Sequence, residues 1–320
     1  MRIAVTGSIA TDHLLTFDGR FVEQLLPDQL DKLSVVFLAS DLQVRRGGTG
    51  ANIAFGMGVL GLRPLLIGSV GKDAADYLTW LADHGVDISG VHVSETLASP
   101  RFTVTTDNDH NQIGAFYPGA MAEAVNIGLK PFGELDLVVV APNDPGAMLR
   151  QSAECRDSGI PFAADPSQTL TFLDGDSIRQ LVDGATYLFT NEYEAGLVAE
   201  KTGWSDDDIV SMVQTRITTR GANGIVVTRK GEDPINVPVA PAEKIAEPTG
   251  VGDAFRGGFL SATSWGLGLE RACQVGAQLA TYVVETVGTQ EYTYTSKRFL
   301  ERLAAAYGDD AAADVEPHLP

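Results

Sequence analysis

The chain has 320 residues, 44% of them hydrophobic, and a formal net charge of −19. This length and composition supply a sizeable core for one large or two small domains. The acidity argues against nucleic acid or an anionic membrane as a partner, because phosphate groups would be repelled over most of the surface. A small anionic ligand remains compatible with the chain, provided that backbone amides or a few arginines supply positive charge locally.

The cysteines and the N-terminal residues bear on the cellular compartment. Cys155 and Cys273 are too few and too isolated for a disulfide framework or a zinc site, so we expect buried, reduced packing residues. Residues 1–7 are too short and too quickly polar for a signal peptide, and no stretch approaches a membrane span. The sequence therefore predicts a cytoplasmic protein.

Short apolar runs rich in Val and Ile alternate with longer segments of helical period. The predicted strands are 3–6, 65–69, 137–141, 162–164, 187–190 and 225–228. The predicted helices are 51–60, 74–84, 146–157, 205–214, 253–265 and 270–285. This alternation is typical of a parallel sheet covered by helices on both faces. The sequence therefore predicts a doubly wound α/β core, with ligands bound beyond the carboxyl ends of the strands.

Two stretches, residues 12–46 and 98–118, break this alternation. Within the second, residues 101–106 alternate in polarity like a strand, but no crossover helix follows them. We expect the two stretches to pair as a small separate sheet, a lid that excludes water when it closes. The tail from Gly308 is predicted to be weakly ordered. We expect a single domain over residues 1–320 that carries this lid.

Residues 247–259 combine a glycine turn, a helix start and a carboxylate. Gly250 and Gly252 flank Val251, so the backbone can bend until successive N–H groups point at one place. Free amides at a helix N-terminus attract phosphate. Asp253 stands where its carboxylate could reach a hydroxyl beside that phosphate, as transfer of a phosphoryl group to an alcohol requires. This segment alone is equally compatible with Asp253 as a simple helix cap.

A second glycine-rich helix start spans residues 46–56. Gly48 permits close approach of a ligand, and Asn52 offers both a donor and an acceptor to a hydroxylated substrate. In this order and on an α/β pattern, the two segments closely resemble the paired signatures of the ribokinase-like (PfkB) carbohydrate and nucleoside kinase family. The resemblance implies a doubly wound, mostly parallel sheet with a small β-sheet lid. It also implies ATP as the phosphoryl donor, Asp253 as the base and residues 250–252 as the anion hole.

Two further motifs resemble the nucleotide side of this family. Asn191 and Glu194 are similar to its Asn-x-x-Glu motif, which implies that Asn191 contacts ATP and Glu194 holds magnesium through water. Thr219, Gly221 and Gly224 resemble its Thr-x-Gly-x-x-Gly turn beside the nucleotide. A capping box for the first pair and an ordinary turn for the second remain open alternatives.

The substrate side is less distinctive in sequence. Ser8 and Asp12 follow the first strand, at the position where family members hold substrate hydroxyls; Asp12 as the cap of a loop is the alternative. Family members commonly carry Asp-Thr where this chain has Glu247 and Pro248, so the requirement for a monovalent cation stays open. No Walker motif and no Rossmann fingerprint after the first strand compete with this interpretation.

Within the family, four stretches most resemble the actinobacterial adenosine kinases: 4–14, 115–121, 163–168 and 285–290. That resemblance places Phe102 and Phe116 of the lid against a purine, because aromatic faces suit a flat base. Gln168 is a candidate for hydrogen bonds to the edge of the base. For each phenylalanine a position in the lid core is the alternative, and for Gln168 a role in satisfying loop backbone.

The sequence thus predicts an adenosine kinase that converts ATP and adenosine into ADP and AMP. The first alternative is a sugar kinase of the ribokinase or fructokinase type, since the same turn serves any primary alcohol. The second is a nucleoside- or sugar-binding protein without catalytic activity. The family resemblance also makes a homodimer through the lid our expectation for the assembly.

Overall fold

A nine-stranded sheet forms the centre of the fold. The computed structural model describes residues 1–25 and 34–320. In chain order the strands of the described residues are β1 (Ile3–Thr6), β2 (Ala10–Phe17), β3 (Ala39–Gly47), β4 (Leu65–Gly71), β5 (Asp87–Ser94), β6 (Arg101–Thr106), β7 (Gln112–Tyr117), β8 (Leu137–Val140), β9 (Phe162–Ala164), β10 (Tyr187–Asn191), β11 (Thr215–Thr219), β12 (Ile225–Thr228) and β13 (Ile235–Val237). The central sheet has the order β13-β12-β11-β10-β9-β8-β1-β4-β5. It is parallel from β5 to β11, and β12 and β13 add an antiparallel edge.

Helices cover both faces of this sheet. They are α1 (Phe21–Gln24), α2 (Thr49–Val59), α3 (Ala75–Asp83), α4 (Pro145–Ser158), α5 (Gly175–Val182), α6 (Glu192–Thr202), α7 (Asp206–Met212), α8 (Val251–Ser264), α9 (Leu269–Val284), α10 (Ser296–Tyr307) and α11 (Asp309–Val315). Val5 packs into one core with Phe259, whereas its neighbour Ala4 packs into a second core with Val138. Burial on both faces explains why these strands are continuous apolar runs. No helix of the described residues is long and apolar enough to cross a membrane.

The predicted doubly wound core is confirmed, and all six predicted strands are present. The pattern missed three strands of the central sheet: β5, whose polar residues alternate because part of it is exposed, the threonine-rich β11, and the short edge strand β13. The expectation of a weakly ordered tail from Gly308 was wrong. Residues after Gly308 form α11, whose Ala311 and Val315 are fully buried. Alanines there favour a helix, and this helix finds an apolar surface to cover.

The two stretches outside the alternation pair as the predicted separate sheet, with the order β3-β2-β6-β7. β2 and β6 are parallel, while the outer pairs are antiparallel. Asp12 pairs with Phe102, and Phe102 pairs with Phe116, so these three side chains share one face of the lid. Residues 26–33 of the predicted lid stretch lie outside the described residues.

Gly7 and Gly50 hold β1 and α2 in backbone contact, which offers a test of the packing. A Cβ at residue 50 would lie 2.7 Å from the Cα of Gly7. Backbone cannot move aside as a flexible side chain can, so we expect Gly50→Ala to lower the free energy of unfolding by about 1–3 kcal/mol. Urea denaturation measures this change.

Gly196, within α6, provides a matched control for that substitution. A Cβ there would have nothing within 4 Å. Gly196→Ala should therefore be neutral or stabilise by about 0.5–1 kcal/mol, since alanine is the better helix former. Equal effects of the two substitutions would contradict the close contact between β1 and α2.

Candidate active site

A cavity of about 590 Å³ lies between the lid and the central sheet. Its size falls in the range of small-molecule sites. Nine residues singled out from the sequence line it: Ser8, Asp12, Gly48, Asn52, Phe102, Phe116, Gln168, Gly250 and Asp253. The structure therefore brings the predicted substrate residues and the predicted base to one place.

The first turn of α8 delivers Asp253 to this cavity. Gly250 precedes the helix with a φ of 78°, a left-handed conformation that favours glycine. A Cβ there would also lie 2.8 Å from Cγ2 of Thr289. Asp253 does not cap the helix: its Oδ2 accepts a hydrogen bond of 2.8 Å from Nδ2 of Asn52. The N–H of Val251 donates to the carbonyl of Pro248 over 3.4 Å.

Asn52 is held in one orientation by the residues around its carbonyl. Its Oδ1 accepts hydrogen bonds of 2.9 Å from Oγ1 of Thr289 and from Nε2 of Gln290. The same Nε2 lies 2.6 Å from the hydroxyl of Tyr77. Because these donors occupy Oδ1, the amide nitrogen must face Asp253. Thr289 and Gln290 belong to the stretch 285–290 that resembles the adenosine kinases, but no local sequence signal predicts their contact with Asn52.

The charge on Asp253 is set by opposing effects. Burial raises the pKa of its carboxyl to about 6, while Arg256 and the hydrogen bond from Asn52 lower it. The carboxylate of Glu194 acts in the raising direction. The result is a carboxyl that is mostly ionised at neutral pH and more basic than an ordinary aspartate.

Asp12 of β2 has a similar balance. Burial raises the pKa of its carboxyl to about 6, and the nearby carboxylate of Glu247 adds to this, whereas Arg45 opposes it. Arg45 of β3 forms an ion pair of 2.7 Å with Glu247. A Cβ on Gly47 would lie 2.8 Å from Oδ2 of Asp12, so glycine leaves room for this carboxylate. Asp12 lines the cavity.

Gly48 turns the chain from β3 into α2 next to Ser8. Its φ is 93°, and a Cβ would lie 2.6 Å from both the carbonyl oxygen of Ser8 and the nitrogen of Ala10. Oγ of Ser8 accepts a hydrogen bond of 3.0 Å from the N–H of Thr49. The hydroxyl hydrogen of Ser8 stays available for a ligand, since a hydroxyl both accepts and donates.

An aromatic wall closes the lid side of the cavity. Phe102 and Phe116 are 37% and 50% exposed, so neither is a core residue of the lid. Phe172, 63% exposed, also lines the cavity and was not foreseen. Oε1 of Gln168 accepts a hydrogen bond of 2.7 Å from the hydroxyl of Ser167, which leaves the amide nitrogen of Gln168 to donate to a ligand.

The predicted nucleotide residues lie outside this cavity, at the carboxyl ends of two neighbouring strands. Asn191 at the end of β10 pairs with Thr219 at the end of β11. Gly221 and Gly224 follow in a tight turn with φ values of 52° and 87°. The capping-box alternative is also present, because Asn191 and Glu194 exchange side-chain to backbone hydrogen bonds of 2.8 Å. The structure thus brings these residues together at the carboxyl ends of β10 and β11.

The chain matches known proteins along most of its length. The family model for pfkB family carbohydrate kinases matches residues 9–296. The chain belongs to the PfkB family. A nucleoside kinase from Methanocaldococcus jannaschii is 31% identical over 259 residues, which cover 80% of this chain and 85% of that protein.

Solved structures of nucleoside kinases share the fold. A nucleoside kinase from Burkholderia thailandensis in complex with inosine is 35% identical, with a TM-score of 0.84 over 96% of this chain and 98% of that one. The predicted ribokinase-like fold is confirmed. Adenosine kinase 1 from Arabidopsis thaliana is 33% identical, but over 126 residues that cover 35% of this chain and 36% of that protein. The closer resemblance to actinobacterial adenosine kinases is not confirmed by these matches.

Magnesium is a cation that PfkB chemistry implies, and Glu194 was predicted to hold it through water. In the part of the chain that the structure describes, no group of three or more His, Cys, Asp and Glu could by itself hold a metal. Magnesium usually keeps several waters and takes only one or two carboxylates beside phosphates. Glu194 raises the pKa of both Asp253 and Asp165, so three carboxylates lie close together. Arg256 is paired with one of them, Asp165, and the remaining carboxylates fit a divalent cation bound beside Glu194.

The contact between Asn52 and Asp253 predicts a pH-dependent effect of Asn52→Asp. The substitution places a second carboxylate against that of Asp253, because Nδ2 of Asn52 lies only 2.8 Å from Oδ2 of Asp253. Burial and the like charge of Asp253 raise the pKa of the new carboxyl at residue 52 above its value in the unfolded chain. Stability is therefore unaffected by this charge below the unfolded pKa, and it is lost as the pH rises through the folded pKa. We expect a loss of about 3–5 kcal/mol at pH 8 and a much smaller loss at pH 5, measured by urea denaturation.

Asn52→Ala serves as the control, because it removes the hydrogen bond and introduces no charge. Its loss should grow only modestly between pH 5 and pH 8, because the hydrogen bond that is removed lowers the pKa of Asp253. A loss for Asn52→Asp that grows no more with pH than that of Asn52→Ala would show that the two side chains are not in contact.

Proposed function

We propose that this protein is a nucleoside kinase that transfers the γ-phosphoryl group of ATP to the ribose 5′-hydroxyl, with adenosine as its substrate. One observation carries the proposal. A single cavity combines a carboxylate at a helix N-terminus, polar side chains suited to ribose, and an aromatic wall suited to a base. The names of the relatives from M. jannaschii and B. thailandensis support a nucleoside as the acceptor.

The ribose is bound by groups that the lid and α2 contribute together. Asp12 accepts hydrogen bonds from ribose hydroxyls, and Ser8 donates one. The backbone at Gly48 permits close approach of the sugar, as a side chain there would clash with the chain itself. Asn52 has a second amide hydrogen besides the one directed at Asp253, and we assign it to the substrate.

The base lies against the lid. Phe102 and Phe116 are direct cross-strand neighbours on the face towards the cavity, so they offer one continuous apolar surface. Stacking on such a surface accepts any base, and selectivity for adenine then depends on its edge. Gln168 is the residue we assign to that edge. Its free amide nitrogen can donate to a ring nitrogen of adenine.

The chemistry follows from the position of Asp253. The 5′-oxygen attacks the terminal phosphorus of ATP, the bond to the β–γ bridging oxygen breaks, and ADP leaves with the electron pair. Asp253 accepts the hydroxyl proton late, because the transition state of phosphoryl transfer is loose. The N–H groups of residues 250–253 stabilise charge on the transferred group, each being worth roughly 3 kcal/mol.

ATP is assigned to the strand ends beside this cavity. Asn191, Thr219, Gly221 and Gly224 hold the nucleotide there, with Gly221 and Gly224 allowing the turn to approach its phosphates. Magnesium, when bound beside Glu194, neutralises charge on the phosphates of ATP. These roles rest on the family resemblance and on the position of the motifs at the sheet edge.

The test is magnesium-dependent ADP formation by the purified protein. Adenosine, guanosine, inosine, cytidine, ribose and fructose are compared as acceptors in parallel. Selective turnover of adenosine supports the full proposal. Preferred turnover of another nucleoside keeps the nucleoside kinase and changes only the base that we assign to its substrate. Turnover of sugars alone establishes the sugar kinase instead, and no turnover with any acceptor favours the binding protein without activity.

Asp253→Asn should lower turnover by about 10² to 10⁴ while the fold and nucleotide binding persist. The amide keeps the hydrogen-bonding shape of the side chain but cannot accept the proton. Steady-state kinetics measure the loss, and isothermal titration with ADP measures binding. Asp310→Asn is the matched control, since Asp310 also stands in the first turn of a helix but is exposed. Near-normal turnover of Asp253→Asn would remove Asp253 from the role of base.

Phe102→Ala and Phe116→Ala should each raise the KM for adenosine about 10-fold or more, because stacking on an aromatic side chain contributes about 1–3 kcal/mol per base. Turnover of ribose, which has no base, should be unaffected. Thr105→Ala, on the opposite face of the same lid sheet, is the control. Equal losses for adenosine and ribose would argue for a sugar site.

We also propose a homodimer through the lid. The face of the lid that points away from the cavity carries Leu42, Val44 and Ile113, which are 45% to 57% exposed. Covering these side chains with the same face of a second copy would remove apolar surface from water. Sedimentation velocity should show a dimer for the native protein and a monomer for Val44→Glu. A native monomer at all concentrations would exclude this assembly.

A further inference from the structure

Arg256 and Asp165 form a buried ion pair behind the candidate active site. Nη2 of Arg256 donates to Oδ1 of Asp165 at 2.6 Å, and the side chains are 8% and 0% exposed. Among the described residues, neither Oδ2 of Asp165 nor Nε of Arg256 has a hydrogen-bond partner. A buried pair with unsatisfied atoms is a weak source of stability, since desolvation costs several kcal/mol per ion. Packing alone therefore gives no reason for these two residue types.

The guanidinium lies directly beside the proposed anion-hole turn. A Cβ added to Gly252 would lie 2.8 Å from Nη1 of Arg256. Arg256 follows Asp253 by three residues on α8, so the two side chains are neighbours on the helix surface. Any movement of the guanidinium would therefore alter the space behind the turn and the charge beside Asp253.

Three carboxylates share the charge of this guanidinium. Asp165, Asp253 and Glu194 each act on Arg256 and raise its pKa. In return, Arg256 lowers the pKa of both Asp165 and Asp253. Without this cation, the three acidic groups would repel one another in a site that is largely shielded from water.

Asp165 also connects the pair to the cavity. It directly follows β9 and begins the segment that contains Gln168, Thr171 and Phe172, all of which line the cavity. The ion pair thus ties the loop assigned to the base of the nucleoside to the helix assigned to phosphoryl transfer.

We propose that Arg256, held by Asp165, is a positioning residue of the phosphoryl transfer, which fixes the turn at Gly252 from behind and keeps Asp253 in its charged form. This role rests on the proposed function above, because it concerns the ionisation of the same base. It also explains why an arginine occurs within the otherwise apolar and glycine-rich run 254–260 of α8.

The ionisation of Asp253 depends on groups from every element around it. The positive group is Arg256 of α8, and Asn52 of α2 donates a hydrogen bond. The acidic and phenolic groups that interact with Asp253 are Glu194 of α6, Asp165 after β9, Asp12 of β2 and Tyr292. Removal of Arg256 leaves Asp253 among like charges, which raises the pKa of its carboxyl. Removal of the charge on Asp165 takes away one of these like charges and so does not raise that pKa.

The test compares Arg256→Gln and Asp165→Asn in the full-length protein. The Asp253 carboxyl carbon is followed by NMR with ¹³C-labelled aspartate, and its signal is assigned by its loss in Asp253→Asn. We expect the native midpoint near pH 6, an upward shift of about 1–3 pH units in Arg256→Gln, and no upward shift in Asp165→Asn. The acid limb of kcat/KM should move in the same directions.

Arg302 provides the control, because it forms a partly buried ion pair with Glu285 at the same distance of 2.6 Å. Arg302→Gln should destabilise the protein without moving the midpoint of Asp253. If Arg256→Gln fails to fold, Arg256→Lys retains a cation, and the sign of the shift in Asp165→Asn still tests the proposal. An unchanged midpoint in Arg256→Gln, or equal upward shifts in both variants, would overturn it.

The NMR titration separates this proposal from the proposed function. If the midpoint shifts in a protein that phosphorylates no acceptor, the effect of Arg256 on the charge of Asp253 is supported and the proposed kinase activity is refuted. Normal adenosine turnover in Arg256→Gln with an unshifted midpoint would keep the kinase and remove the role of Arg256.

Discussion

The hydrogen bond from Asn52 to Asp253 joins the two helices whose N-termini build the site. It forms only because α2 and α8 approach each other almost backbone to backbone. A Cβ on Gly257 would lie 3.1 Å from the carbonyl of Ile53 and 3.2 Å from the Cα of Gly56. On its other side, α8 meets α9 where a Cβ on Gly258 would lie 2.7 Å from the Cα of Gly276. Small residues along α8 therefore set the distance at which Asn52 and Asp253 can meet.

This close packing makes the site a property of the core as much as of its own residues. Gly257 and Gly258 touch no part of the cavity, yet a larger residue at either would push the neighbouring helices apart. The carboxylate and the amide at the helix N-termini would then separate, since helices move as rigid bodies. The glycines of residues 250–258 consequently have two separate tasks, one in the turn and one in the packing.

The parts that the sequence predicted are those with a local signal. Strands buried on both faces appear as apolar runs, and a glycine turn before an apolar run of helical period marks the start of α8. The alternation of residues 101–106 likewise predicts a lid strand. The family resemblance adds that Phe102 and Phe116 lie on the face of the lid sheet towards the cavity.

The parts that the sequence did not predict depend on contacts between distant segments. Gln290 reaches Asn52 across 238 positions of the chain, and Arg256 reaches Asp165 across 91. The sequence around either residue does not predict its partner. An arginine within an apolar helix does, however, indicate that a buried acidic partner is needed. The tail after Gly308 was misjudged because its alanines are buried by a surface that only the folded core provides.

The lid joins the core through two short connections that are themselves anchored. β1 ends at Thr6 and β2 begins at Ala10, so Ser8 lies within one connection, and Gly48 lies within another between β3 and α2. The N–H of Ser8 donates to the carbonyl of Pro142, and the carbonyl of Ser8 accepts from the N–H of Ala51. Ser8 and Gly48 are therefore fixed points of the proposed sugar site. A change in the angle of the lid would alter the distances from Asp12 and Phe102 to these points rather than the distance between the points themselves.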